Sequence, residues 1–205
     1  MKLLLFSDIH ADLEAARQIV AKSREVDVVI GAGDFATMSR GLQRCVDVLS
    51  QIDRPTVLVP GNNEWPDELL SACKDWKSAH ALHGQGTRID GISFFGLGGG
   101  VPVTPFGSWS FDLSEEQATK LLEGCPDHAV LVSHSPPKGL VDRSSSGQSF
   151  GSTAVRDLII QKKPLLVVSG HIHASAGKSA KLNETTVVNA GPAGIIWDLS
   201  ERADS

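Results

Sequence analysis

The sequence has few cysteines, no excess of basic residues and no long apolar run, and each absence excludes a class of protein. Its three cysteines, Cys45, Cys73 and Cys125, are far apart and odd in number. This is typical of free thiols in a reducing compartment rather than of a disulfide framework. The apolar run at residues 3–6 is too short for a signal-peptide core or a membrane span. We therefore expect a cytoplasmic protein with no membrane partner.

The charge balance argues against a long nucleic-acid partner. The chain has 19 basic and 24 acidic residues, a formal net charge of -5 at pH 7, so no basic face is implied. With 205 residues, 41 % of them hydrophobic and 21 % charged, it has the size and composition of one globular domain over residues 1–205. No linker, internal repeat or low-complexity segment divides it. The sequence leaves the oligomeric state open, including a homo-oligomer.

Short apolar runs alternate with amphipathic segments in the first part of the chain. Residues 2–7, 26–30 and 56–59 predict buried strands, and the spacing of apolar residues predicts helices over residues 12–24 and around residues 42–49. A strand, a helix and a further strand in this rhythm predict parallel strands joined by right-handed crossovers.

Further strands are predicted in the middle of the chain. Residues 79–82, 87–90 and 92–95 predict short strands with glycine turns, which is typical of an antiparallel sheet edge. Residues 129–133 and 165–169 predict two more buried strands. Two sheets packed together with helices outside would account for this pattern.

Helix caps and hairpins complete the expected elements. Ser114 and Ser152 are predicted N-caps of two helices, the first as part of a capping box. Residues 174–181, 185–189 and 195–199 predict β-hairpins.

Five polar clusters each follow directly on a short apolar run. They are Asp8-Ile9-His10, Gly33-Asp34, Gly61-Asn62-Asn63-Glu64, Ser133-His134 and Gly170-His171-Ile172-His173. The intervals between the first three are each about the length of a βαβ crossover. Because the carboxyl ends of parallel strands share one edge of a sheet, we expect the clusters to lie together there.

The clusters supply two carboxylates, one amide and four imidazoles as candidate metal ligands. The seven residues are Asp8, His10, Asp34, Asn62, His134, His171 and His173. Two divalent ions carry about +4. The two aspartates and a bridging hydroxide would leave about one positive charge, which would attract a phosphate ester. Each residue alone could be a polar turn residue at a strand end, but their joint occurrence favours a metal site.

In these clusters the chain resembles the calcineurin-like metallophosphoesterases, whose pattern is D-x-H, G-D, G-N-x-[D/E], H and G-H-x-H. All five blocks occur in order over residues 8–173, and the small size is similar to compact bacterial phosphodiesterase-like members. The resemblance implies an α/β fold, a four-layer αββα sandwich of two mixed β-sheets flanked by helices.

The resemblance also implies a role for each ligand. Asp8, His10 and His173 would hold one ion, Asn62, His134 and His171 would hold the other, and Asp34 would bridge both. Nitrogen and oxygen donors without a thiolate fit Mn, Fe, Zn or Co. The resemblance favours two Mn²⁺ ions.

The chain departs from the family pattern at Asn63, where many members have a histidine thought to protonate the leaving group. An amide donates a hydrogen bond but cannot give up a proton near pH 7. We expect Asn63 to orient a phosphate oxygen of the substrate and Glu64 to fix the Asn63 rotamer. The alternatives are a turn residue at Asn63 and an N-cap neighbour at Glu64.

The leading functional hypothesis is a dinuclear metal-dependent phosphoesterase. We expect a phosphodiesterase that hydrolyses a small phosphate ester or nucleotide by attack of a metal-bridging hydroxide. A phosphomonoesterase with the same site is an alternative, and a protein-binding scaffold is a second class that the filled ligand positions argue against. A nuclease for DNA ends would need a basic groove or further domains.

Four residues near the clusters have two interpretations each. Phe106 and Trp109 could wall a substrate pocket or belong to the core or a lid. Lys138 and Arg143 could meet a second phosphate or a nucleotide, or be solvated loop charges.

Overall fold

Strands and helices alternate along the chain largely as the spacing of apolar residues predicts. The computed structural model describes residues 1–199, and residues 200–205 of the predicted domain lie outside it. The strands are β1 (Lys2–Phe6), β2 (Val28–Gly31), β3 (Thr56–Leu58), β4 (Ala79–Ala81), β5 (Gln85–Ile89), β6 (Ile92–Leu97), β7 (Val130–Ser133), β8 (Leu166–Ser169), β9 (Ser179–Leu182), β10 (Thr185–Asn189) and β11 (Ile195–Asp198).

The α-helices are short and capped. They are α1 (Leu13–Lys22), α2 (Leu42–Leu49), α3 (Pro66–Ala72), α4 (Glu115–Leu122) and α5 (Thr153–Lys162). The side chains of Asp12, Ser114 and Ser152 accept hydrogen bonds from backbone N–H groups of the first turns of α1, α4 and α5. This confirms the two predicted serine caps. Within residues 1–199, no helix is long and apolar enough to cross a membrane.

The strands form two mixed sheets. The first has the order β11-β1-β2-β3-β4, with β1 to β4 parallel and β11 antiparallel to β1. The second has the order β5-β6-β7-β8-β10-β9, with four parallel central strands and an antiparallel strand at each edge.

Alternation of side chains along the strands produces four layers. In β1, Leu3 and Leu5 join the apolar cluster between the two sheets, while Leu4 and Phe6 join the cluster under α1, α2 and α3. A third cluster fills the space between the outer face of the second sheet and α4 and α5. The predicted αββα sandwich of two mixed sheets is therefore confirmed.

Two predicted pairings are wrong. The sequence predicts an antiparallel edge at residues 79–82, yet β4 extends the first sheet in parallel with β3. Of the expected terminal hairpins, β9 and β10 form one, but β11 pairs with β1 in the other sheet. Hydrophobic pattern sets which face of a strand is buried but not which partner it pairs with, so neither pairing is visible locally.

Adjacent leucines on α3 test the layer assignment. Leu69 is fully buried against the first sheet, and Leu70 is 59 % exposed. We expect Leu69→Ala to lower the free energy of unfolding by about 2–5 kcal/mol because it leaves a cavity. Leu70→Ala should change it by less than about 0.5 kcal/mol. Urea unfolding of both variants measures this, and similar losses for both would contradict the layer assignment.

Candidate metal centre

All seven predicted ligands follow the carboxyl ends of strands from both sheets. In the first sheet, Asp8 and His10 follow β1, Asp34 follows β2 and Asn62 follows β3. In the second sheet, His134 follows β7, and His171 and His173 follow β8. The packing of one sheet on the other therefore brings the seven residues to one place.

One group of side chains gathers around the end of β1. Ligand atoms of Asp8, His10, Asp34 and His173 all lie within 4.8 Å of one another. The Nε2 atoms of His10 and His173 are 3.0 Å apart. His173 Nε2 is 3.6 Å from Asp8 Oδ1, and His10 Nε2 is 3.6 Å from Asp34 Oδ2. These nitrogens and oxygens converge on a common space.

A second group gathers around Asn62. Its Oδ1 lies 3.2 Å from His134 Nε2 and 3.0 Å from His171 Nδ1. His134 Nε2 is also 3.4 Å from Asp34 Oδ1. Asp34 thus directs one carboxylate oxygen toward each group, and its carboxylate lies between them.

The backbone at the ligand residues adopts an uncommon conformation. Asp8, His10, Asp34 and His171 have φ angles of 56°, 50°, 58° and 64°. Residues other than glycine rarely have positive φ, and each such position costs about 1–3 kcal/mol unless surrounding structure enforces it. Hydrogen bonds from the Asp8 and His10 amides to the Gly33 and Asp34 carbonyls, both 2.9 Å, hold the β1 and β2 ends together. The conformation is therefore imposed by neighbouring loops.

Two glycines allow these loops to approach closely. Gly33 has a φ of 92°, and a Cβ there would lie 2.6 Å from His134 Nδ1. A Cβ at Gly61 would overlap the Asp34 carboxylate. At Gly33 both the positive φ angle and the lack of room for a Cβ require glycine. At Gly61 the lack of room alone requires it.

The two buried carboxylates affect each other's ionisation. Burial, followed by the negative charge of Asp8, raises the pKa of Asp34 to about 7. Burial also acts to raise the pKa of Asp8, but its interaction with His173 and the charge of His134 outweigh that effect and lower it to about 2. Two close carboxylates are therefore both ionised at neutral pH only when a positive charge lies near them.

The donor set fits a divalent cation. Within residues 1–199, the ion-pair partners of Asp8 and Asp34 are all imidazoles, with no lysine or arginine among them. Burial and then the charge of His134 lower the pKa of His171 to about 3, so this imidazole is neutral near pH 7. Carboxylates and neutral imidazoles are the oxygen and nitrogen ligands of Mn, Fe, Zn and Co.

Glu64 makes different contacts from those expected. It is fully buried, and its carboxylate accepts hydrogen bonds from the backbone N–H groups of Asp34, Ala36 and Gly61 at 2.7–3.0 Å and of Phe35 at 3.3 Å. In the part of the chain that the structure describes, all its hydrogen bonds go to backbone. Glu64 therefore holds the loops after β2 and β3 and is a positioning residue, not the partner that fixes the Asn63 rotamer.

Asn63 fixes Asp34. Its Nδ2 donates to Asp34 Oδ2 at 2.7 Å, and its backbone N donates to Asp34 Oδ1 at 2.9 Å. Its Oδ1 accepts from the backbone N of Met38 at 2.7 Å. The side chain also lines the cavity over the metal centre, so contact with a substrate stays a prediction.

A cavity of about 820 Å³ lies over the metal centre. Among its lining residues are His10, Asp34, Asn62, His171 and His173. Phe106 and Trp109 also line it, in agreement with the pocket-wall interpretation. Lys138 and Arg143 do not, and sequence reasoning missed Phe150 on the lining because it follows no strand.

Known proteins share this fold. TT1561 of Thermus thermophilus has a TM-score of 0.77 at 22 % identity, covering 98 % of this chain and 95 % of that one. A dimetal phosphatase from Danio rerio has a TM-score of 0.61 at 14 % identity, covering 94 % of this chain and 88 % of that one. At these identities the likeness shows the fold alone.

The sequence also matches curated relatives and a family model. "Probable rhamnogalacturonate lyase C" of Emericella nidulans is 28 % identical over 194 residues, which cover 86 % of this chain and 17 % of that protein. The chain spans well under half the length of the curated relatives it matches. The family model described as calcineurin-like phosphoesterase matches residues 1–175. The chain therefore belongs to the calcineurin-like phosphoesterase family.

Proposed function

We propose that the chain is a phosphodiesterase that works with two divalent cations. The observation that carries the proposal is the position of the Asp34 carboxylate, with Oδ1 3.4 Å from His134 Nε2 and Oδ2 3.6 Å from His10 Nε2. A carboxylate between two groups of nitrogen and oxygen donors is suited to hold two ions. Such a pair of ions would supply Lewis acidity, polarising a phosphoryl group and acidifying water at neutral pH.

The two groups of donors define the proposed ligand sets. Asp8, His10 and His173 would hold one ion, Asn62, His134 and His171 would hold the other, and Asp34 would contact both. The short distances within each set support this division. Manganese is the proposed metal on the strength of the family resemblance, with Fe, Zn and Co fitting the same donors.

The cysteines take no part in the centre. Cys45 and Cys73 lie in the cluster under α1 to α3, and Cys125 lies in the cluster under α4 and α5. All three are free and buried. Free thiols support the proposal of a reducing, cytoplasmic setting.

The cavity supports a diester rather than a monoester. A diester carries a second organic group, and about 820 Å³ of largely apolar space adjoins the centre. Within residues 1–199, no lysine or arginine lines that space to balance the second charge of a monoester. The same arrangement supports a small phosphate ester as substrate.

Asn63 would bind the substrate but not protonate the leaving group. An amide nitrogen has two hydrogens, and the Asn63 side chain uses one on Asp34 Oδ2. The other would meet a phosphoryl oxygen in the cavity. With an amide at this position, the leaving-group proton would come from solvent.

Metal content and the Asp34→Asn variant test the proposal. After reconstitution with Mn²⁺ and removal of free metal, we expect about two ions per chain by elemental analysis. Asp34→Asn should lose at least one ion and lower kcat/KM for a p-nitrophenyl diester by at least about 100-fold, since it removes a charged ligand. Asp47→Asn, an exposed helix position, is the control. At most one ion in the unaltered protein would contradict the proposal.

The absence of an acid at residue 63 predicts strong dependence on the leaving group. We expect aryl diesters to be cleaved at least about 100-fold faster than alkyl diesters, because a positioned acid usually contributes that much to a poor leaving group. A plot of log kcat against leaving-group pKa should have a steep negative slope. Asn63→His should flatten the slope by restoring a donor. A flat plot for the unaltered protein would refute the assigned role.

A further inference from the structure

Outside the ligand cluster, the cavity over the metal centre is lined mainly by apolar side chains. They include Pro102, Val103, Phe106, Trp109, Phe150 and Ile172. Residues 102–109 come from the loop after β6, and Phe150 comes from the loop before α5. These two loops and the segment after β8, which bears Ile172, therefore contribute apolar surface to one space beside the proposed ions.

Much of this apolar surface is exposed. Val103 is 64 % exposed, Phe106 50 % and Phe150 45 %. Large apolar side chains left in contact with water around a polar centre are typical of a ligand-binding groove. A substrate bound in the cavity would therefore cover these exposed apolar side chains.

Phe106 and Trp109 form an aromatic pair on the cavity lining. Their rings are stacked, with centroids 5.6 Å apart and an angle of 17° between the planes. Rings of this kind favour offset stacking with a further flat ring over contact with a flexible chain. The pair is therefore suited to a substrate that carries a flat ring.

Hydrogen bonds connect the loop that bears Phe106 and Trp109 to the candidate metal centre. Thr104 Oγ1 donates to Asp112 Oδ2 at 2.8 Å, and Ser110 Oγ donates to Asp112 Oδ1 at 3.1 Å. Ser110 Oγ in turn accepts a hydrogen bond from Asn62 Nδ2 at 3.1 Å. The loop that bears the two rings is thereby held at a fixed place relative to a proposed ligand.

Neither nearby basic side chain lines the cavity, and each donates a hydrogen bond within its own loop. Lys138 Nζ donates to the Ser149 carbonyl at 3.1 Å, and Arg143 Nη1 donates to the Gly147 carbonyl at 2.9 Å. Both cations are bound within their own loop. Since no lysine or arginine of residues 1–199 lines the cavity, its lining favours an uncharged group over a second phosphate.

We propose that the phosphate of the substrate carries a flat, uncharged, mainly apolar ring, and that this ring occupies the cavity and stacks on the pair of Phe106 and Trp109. This rests on the proposed function of the same site. A cavity of about 820 Å³ has room for such a group, within the range usual for small-molecule sites. Phe106 is the specificity-determining residue, since half of its surface is free to meet the ring.

Binding of three phosphonates to the Mn²⁺-loaded protein tests the proposal. Phenylphosphonate, cyclohexylphosphonate and methylphosphonate have the same anionic group and differ in the size and flatness of the substituent. By titration calorimetry, we expect phenylphosphonate to bind at least about fivefold more tightly than methylphosphonate, the gain from partial burial of a ring. It should bind at least about twofold more tightly than cyclohexylphosphonate, because only the flat ring stacks.

Phe106→Ala should abolish the preference for phenylphosphonate over methylphosphonate. Ile160→Ala, which removes an exposed apolar side chain on α5, is the control and should leave every affinity unchanged. A phenyl preference that is smaller than expected, equal binding of the cyclohexyl ligand, or a preference that survives Phe106→Ala would overturn the proposal.

Hydrolysis separates this proposal from the function on which it rests. The p-nitrophenyl esters of phenylphosphonate and methylphosphonate share one leaving group, so their kcat/KM values compare the retained group alone. We expect the phenyl ester to be preferred by at least about fivefold. If neither ester is hydrolysed, the proposed function fails, while the binding titrations still decide the proposal about the ring.

Discussion

The rest of the site depends on one constraint, which is that two carboxylates, those of Asp8 and Asp34, are buried close together. Their oxygens lie with two imidazole nitrogens inside a 4.8 Å cluster, and Asp8 is a cause of the raised pKa of Asp34. Imidazoles are the ion-pair partners of both within residues 1–199. Burying unbalanced charge is costly, so such a cluster is stable when cations complete it. The neutral donors nearby are placed to bind such cations, and the surrounding loops hold these donors in position.

The fold meets this constraint by bringing two sheets together at their carboxyl edges. The first sheet presents four of the seven donors and the second presents three, and the apolar cluster between the sheets sets their separation. Glu64 then holds the loops after β2 and β3 through four backbone N–H groups. Hydrogen bonds hold these loops, and the glycines in them let the loops approach more closely than a Cβ would allow. This surrounding structure keeps the ligand residues in left-handed conformations. The packed core between the sheets and the strained, hydrogen-bonded loops thus act together to place the ligand residues.

The sequence predicts the layers and the members of the site better than it predicts their contacts. Apolar alternation and strand-end clusters depend on short-range spacing, so Asp8, Asp34 and the sandwich could be anticipated. The pairing of β11 with β1, the role of Glu64 and the tie from Ser110 to Asn62 join residues distant in sequence. No local pattern encodes such contacts. Phe150 was missed for the same reason, since its loop has no periodicity that would direct it to the cavity.

The most direct measurement of the central claim is an anomalous-scattering experiment on crystals of the Mn²⁺-loaded protein. The account predicts two peaks, one on each side of the Asp34 carboxylate and about 3.5–4 Å apart, the separation usual in two-metal sites. A single peak, or peaks away from Asp34, would contradict it.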